Sequence, residues 1–271
     1  MAVAAPPLAL SRCNVRCTQT DSQMPMNAIQ KWGIWLIVTV SAVTVSYFWL
    51  DRPIALFVHR SLQGFDAFAL LTYIPNVVTP AILIAFVAVG LSELSSRSMG
   101  RLPTVAVLAA VSLAVAEIIK VNLKYAFGRT WPETWTGNNP SFINSGVYGF
   151  HPFHGGEGYA SFPSGHTTAI CAVMSVLWIC YPRFRSIYAV CIAAVAVGLV
   201  GADFHFLSDV IAGGFLGITT GWLTVVLWEI GARPVRPPRA PAKVTVGPVS
   251  AAETVRFTSR CRSARNPPPT G

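Results

Sequence analysis

The sequence predicts an all-α, polytopic membrane protein: a bundle of six transmembrane helices with a long extracytoplasmic loop between the third and fourth. Of its 271 residues 53% are hydrophobic and 11% charged, with a mean hydropathy of +0.53, against about 25% charged in a soluble globular domain. The uncharged runs Trp32–Leu50 and Val210–Trp228 are 19 residues each, close to the ~20 that cross a ~30 Å hydrocarbon layer as helix. Four further apolar runs lie between them.

In order, the six runs are Trp32–Leu50, Ala67–Ser92, Leu102–Ala116, Thr167–Pro182, Ser186–Ala202 and Val210–Trp228. The third is short and is expected to continue through Glu117 and Lys120, and the fourth to begin near Ser164. Pro75 and Pro80 in the second run predict a kink or a late helix start. Six spans put both termini on one side of the membrane. Fifteen of the twenty Lys and Arg residues fall in the tails, the second loop (Arg97, Arg101) and the fourth loop (Arg183, Arg185), while Arg52, Arg60, Lys120, Lys124 and Arg129 face the other side. The positive-inside rule then places the termini in the cytoplasm and the Lys120–His166 segment outside.

The domains expected are a disordered cytoplasmic N-tail over 1–30, the membrane domain over 31–230, and a basic, Pro-rich disordered tail over 231–271. The formal net charge of +9 resides mostly in that last tail, which suits contact with anionic lipid rather than nucleic acid. No signal peptide is legible, and Met24 or Met26 are alternative starts to Met1. Cys171, Cys180 and Cys191 fall in apolar spans and Cys13, Cys17 and Cys261 in polar tails, so the cysteines are not a disulfide framework.

Ionisable residues at membrane depth are costly unless paired, hydrated or functional, and so carry the information. Glu117, Lys120 and Lys124 share one helical stripe. Glu117 and Lys120 read as a stabilising pair, with Lys120 reaching the interface. Lys124 and Arg129, with Gly128 and Pro132 bending the chain, bring two cations toward a shared anion. Pro163-Ser164-Gly165-His166 stands directly before the fourth span, where free N–H groups and the helix dipole make an anion site. Gly165 lets that backbone approach a phosphate, and His166 titrates near neutral pH. His205 and Asp209 are four apart, so the carboxylate accepts from one imidazole nitrogen and leaves the other as a nucleophile. Glu133, Glu157 and Asp203 are scattered and predict no acidic cluster for Mg²⁺. His151 and His154 read as ordinary loop histidines. The aromatic loop of Trp135, Phe142, Tyr148, Phe150, Phe153 and Tyr159 reads as an interfacial belt, with a lid over a lipid substrate as the alternative.

These residues resemble the membrane type 2 phosphatidic acid phosphatases, the PAP2 superfamily, which also includes vanadium haloperoxidases. Its motifs are a Lys, six residues and Arg-Pro; then Pro-Ser-Gly-His; then Ser-Arg, five residues, His, three residues and Asp. The resemblance covers roughly residues 30–230. Pro163-Ser164-Gly165-His166 and the pair His205 and Asp209 are complete. Two positions depart: the arginine of the first motif falls on Trp131, and the Ser-Arg of the third on Gly198 and Leu199.

The resemblance implies a membrane-bound lipid phosphatase working through a phosphohistidine. His205 would be the nucleophile and Asp209 its orienter; His166 would protonate the leaving oxygen and then activate water. Lys124, Ser164 and Gly165 would hold the phosphate, with Arg129 added for its proximity. Neither cofactor nor metal is implied. The expected substrate is a membrane lipid phosphate or pyrophosphate, the expected partners only that lipid and the bilayer, and the expected place the bacterial inner membrane, with the site on its outer face. A lipid phosphotransferase, and a degenerate member that binds or transports a phospholipid without turnover, are the alternatives.

Overall fold

The computed structural model describes residues 26–62, 65–93, 100–135 and 137–231, and among them the regular structure is helical, with isolated bridges and no strands. Most of the two expected tails, with the starts Met1 and Met24, falls outside the described residues. Helix α1 (Met26–Val45) runs through a π-helical turn (Ser46–Leu50) into α2 (Asp51–Leu62); α3 (Asp66–Leu71) turns into α4 (Ile74–Glu93). Then come α5 (Arg101–Phe127), a loop carrying α6 (Phe142–Ser145), α7 (Gly165–Cys180), α8 (Arg185–Gly201) and α9 (Leu207–Gly231).

Among the described residues five helical stretches are long and apolar enough to cross a membrane: Ile29–Leu62, Asp66–Leu91, Arg101–Phe127, Pro182–Gly201 and Leu207–Gly231. The fourth expected span is α7, apolar but only 16 residues long. Its surroundings explain its composition, because α7 lies at the centre of the bundle. One face packs Ala169, Val173 and Val176 against Val105, Leu108 and Leu113 of α5 and Val225 of α9. The other packs Ile170, Cys171 and Met174 against Val195 and Leu199 of α8. A helix apolar on all sides is one buried among others. By contrast α1 and α4 present bare apolar side chains such as Trp35, Ile37, Val77 and Ile84, as helices facing lipid do.

Three details of local chemistry set the frame around the end of the bundle where α5 stops and α9 starts. The third span continues past Glu117 and Lys120, which pair side by side, and stops at Gly128. There φ is +56°, and a Cβ would lie 1.9 Å from the His151 carbonyl oxygen, so only glycine fits. In the second span Thr72 closes α3 by bonding Ala69 O with its N–H and its hydroxyl. Helix α4 then restarts late, with Pro75 in its first turn, where the missing N–H costs nothing. Finally, Gly213, Gly217 and Gly221 repeat every four residues along α9 against α7. A Cβ on Gly217 would meet Thr168 O at 2.4 Å, the close approach that small residues permit between membrane helices.

Candidate active site

The first turn of α9 organises the site. Asp209 reaches back so that its Oδ2 accepts from the Phe206 N–H at 3.0 Å and from the Ser161 hydroxyl at 2.6 Å. The same oxygen lies 3.5 Å from His205 Nδ1. An acidic side chain that bonds the N–H just before its own helix is the reciprocal half of a capping box. Here that geometry also anchors the imidazole. His205 is held from behind by its N–H to Leu199 O at 3.2 Å, and Ser161 Oγ lies 3.4 Å from Nδ1.

Behind Asp209 lies a buried charge network. Arg129 is fully buried, and its Nη1 donates to Asp209 Oδ1 and Ser208 Oγ, both at 2.5 Å. Its Nη2 donates to Asp51 Oδ2 at 2.6 Å and meets Tyr148 OH at 3.3 Å. Asp51, 1% exposed, also accepts the Ser208 N–H at 3.0 Å on Oδ1. A carboxylate from α2 therefore satisfies a free amide in the first turn of α9. The π-helical turn before Asp51 leads into this contact, and Tyr148 OH donates to the Tyr47 carbonyl there at 2.6 Å. Burial alone would lower the Arg129 pKa, but Asp209 and Asp51 hold it above its ordinary value.

In front of Asp209 opens a cleft of about 720 Å³. Lys120 and Lys124 of α5, Gly165 and His166 of α7, and His205 line it, together with Trp131 and Trp135 from the loop and Tyr73, Asn76 and Thr79 around the start of α4. The first main-chain bond of α7 runs from Thr168 N–H to Ser164 O, so the N–H groups of Gly165, His166 and Thr167 precede the helical ladder. Lys120 Nζ lies 3.3 Å from the point where a Gly165 Cβ would sit, so the missing side chain lets an ammonium approach the helix N-terminus. Two cations, one of them paired with the Glu117 carboxylate that also lines the cleft, two imidazoles and free amides thus face one space, and the balance favours an anion. Burial pulls the His205 pKa below its ordinary value against the pull of Asp209.

Residues 105–230 match the PAP2 superfamily. Two relatives, each named lipid A 1-phosphatase, come from Rhizobium johnstonii and Rhizobium etli. The first is 28% identical over 73% of this chain and 81% of its own length; the second is 27% identical over 75% and 86%. A transmembrane PAP2-type phosphatidylglycerolphosphate phosphatase from Bacillus subtilis superposes with a TM-score of 0.51 at 18% identity, covering 77% of this chain and 98% of that one. That likeness shows the fold, and with the five apolar helices among the described residues it marks an integral membrane protein.

The PAP2 motif residues divide into two layers. Lys124, Gly165, His166 and His205 line the cleft, while Asp209 stands directly behind His205. Ser164 and Arg129, expected on the phosphate, do not line it. Ser164 is fully buried, donating its N–H to Asp209 O at 3.0 Å and accepting from Thr167 Oγ1 at 3.2 Å. Arg129 is turned away because Asp51 and Asp209 draw both ends of its guanidinium inward. The position of the missing arginine is filled by Trp131, whose ring lies 5.0 Å from the His205 ring and whose Nε1 donates to Glu157 O at 2.7 Å. Leu199, at the other vacant arginine position, is fully buried in the wall.

Sequence reading missed Asp51, Ser161, Ser208 and the cleft face of Lys120. The i,i+3 spacing of Lys120 from Glu117 explained its charge and concealed its second neighbour, Gly165. The expectation that acidic residues are scattered also fails in part: Glu133 and Asp203 meet beside His59, because the turn at Asp203 (φ +54°) folds back toward the loop after Trp131. Glu157 remains apart from them. His151 and His154 pack against Tyr159.

Proposed function

We propose that this protein hydrolyses a phosphate from a membrane lipid phosphate or pyrophosphate through a phosphohistidine, on the outer face of the bacterial cytoplasmic membrane. The observation that carries this is the convergence of Lys124, Gly165, His166 and His205 on one cleft, with Asp209 bonded behind the imidazole. His205 attacks phosphorus through Nε2, and the bond from phosphorus to the lipid oxygen breaks as His166 gives that oxygen its proton. Water, losing a proton to His166, then attacks the phosphohistidine; the P–N bond breaks and inorganic phosphate leaves. Lys120, Lys124 and the N–H groups at the start of α7 hold the phosphate oxygens, so that charge stabilisation does not depend on a metal at the phosphate. Arg129 and Ser161 act through Asp209.

The two Rhizobium relatives make the 1-phosphate of lipid A the first substrate to try. Trp131 and Leu199, where the family carries arginines, favour a second reading in which the cleft binds a lipid phosphate without turnover. Transfer of the phosphoryl group to an alcohol instead of water is a variant of the first. The test is phosphate release by purified protein from lipid A, phosphatidate, phosphatidylglycerol phosphate and polyprenyl pyrophosphate, with trapping of the phosphoenzyme from labelled substrate. Release and trapping that both vanish in His205→Asn support hydrolysis. Binding retained with no release from any lipid overturns it.

A further inference from the structure

One cluster of ligand-type side chains stands outside the chemistry of the cleft. His59 near the end of α2, Glu133 just beyond Trp131-Pro132, and Asp203 in the turn between α8 and α9 present one imidazole nitrogen and two carboxylate oxygens within 4.8 Å of one another. None of the three lines the cleft. His59 Nδ1 lies 3.8 Å from Glu133 Oε1 and 3.9 Å from Asp203 Oδ2, well beyond the ~2.9 Å of an N–H···O bond. Two independent features show that the cluster is unsatisfied by itself. Nδ1 is a buried nitrogen without a hydrogen-bond partner. The Asp203 side chain, 6% exposed and aimed at Nδ1, has no hydrogen bond among the described residues.

A buried acceptor and a buried carboxylate beside a second carboxylate need a positive charge between them. The spacing sets what fits. Sides of 3.8 and 3.9 Å and a third of at most 4.8 Å put a common centre no more than about 2.5 Å from all three atoms, which is close to metal–ligand length. One imidazole with two carboxylates is a donor set for a first-row divalent ion rather than for Mg²⁺, which prefers oxygen and keeps its waters.

We propose that His59, Glu133 and Asp203 bind one divalent transition cation, of the Zn²⁺ class, with water completing its shell. The ion ties α2 to the loop carrying Trp131 and to the turn two residues before His205. It positions these segments and does not meet the reacting atoms, so the proposal stands apart from the function proposed above.

The test uses full-length protein in detergent, stripped with chelator, and Zn²⁺ alone as the probe. Equilibrium dialysis with metal analysis is expected to give one Zn²⁺ per chain, and saturation to raise the thermal unfolding midpoint. His59→Gln and Asp203→Asn should each weaken binding by at least about tenfold and abolish the stabilisation, while a His151→Ala/His154→Ala variant and His205→Asn should bind as the wild type does. If either ligand variant fails to fold, Glu133→Gln carries the same expectation. Absence of bound Zn²⁺, or undiminished binding in the folded ligand variants, overturns the proposal. Because binding is read without substrate and in His205→Asn, its failure is distinguishable from a failure of the phosphatase reading.

Discussion

Replacing Arg129 by Lys separates two roles for that residue. If its guanidinium reached the substrate, lysine would keep the charge, and the main effect would be on KM. In the structure both ends of the fork are instead committed, Nη1 to Asp209 and Ser208 and Nη2 to Asp51, at 2.5 to 2.6 Å. An ammonium lacks that planar two-ended geometry. At least one charge-assisted bond to a carboxylate with no solvent access is therefore lost, at about 1.5–3 kcal/mol. Arg129→Leu leaves two buried carboxylates with no cation and should cost about 3–5 kcal/mol. Should even 1.4 kcal/mol of the Lys penalty fall on the orientation of Asp209, kcat drops about tenfold. Thermal unfolding in detergent, run beside initial rates on the best lipid phosphate, reads both effects. A lysine variant with wild-type Tm and kcat and a raised KM would refute the reasoning and return Arg129 to the phosphate.

Three further predictions follow from the same geometry. Because burial lowers the His205 pKa and the free base is the proposed nucleophile, the acid limb of kcat/KM should lie under the ordinary ~6.5, and Asp209→Asn, which removes the pull upward, should move any residual limb lower still. A limb above 7 would contradict this. Gly217→Ala should destabilise by about 1–3 kcal/mol, since its Cβ would meet the α7 backbone at 2.4 Å; the usual gain of a Gly→Ala change in a helix would show instead that the helices are not in contact there. Lys120→Gln, which leaves Lys124 as the remaining cleft cation of the pair, should raise KM for a lipid phosphate by about tenfold with little change in Tm, and an unchanged KM would confine Lys120 to its pairing with Glu117.

How much of this was legible in the sequence depended on how far apart the partners lie. Lys124, Gly165, His166 and His205 were readable because each sits within a few residues of the end of an apolar run, where a polar side chain must face an interface or a site. His205 with Asp209 needed only helical spacing. The second layer needed tertiary structure: Asp51 is 157 residues from Ser208, and Ser161 is 48 from Asp209. Neither has a local pattern to mark it, and Asp51 stands just past the end of the first apolar run. Arg129 was visible as a cation, but which anion it serves was decided by those distant carboxylates. The glycine repeat on α9 was on view in the sequence, yet its meaning came only from the helix it faces. In the same way Glu133 and Asp203, far apart in the chain, met only through the fold-back at Asp203.

The link between Asp51 and the first turn of α9 also bears on how such a chain is made. Asp51 leaves the ribosome 78 residues before Arg129 and 157 before Ser208. At roughly 5–20 residues per second, its carboxylate waits on the order of ten seconds or more for its last partner. Arrival of α9 closes the circuit and aligns the imidazole in the same event. A nascent chain halted before α9 therefore lacks Asp209 and the Ser208 amide that Asp51 caps.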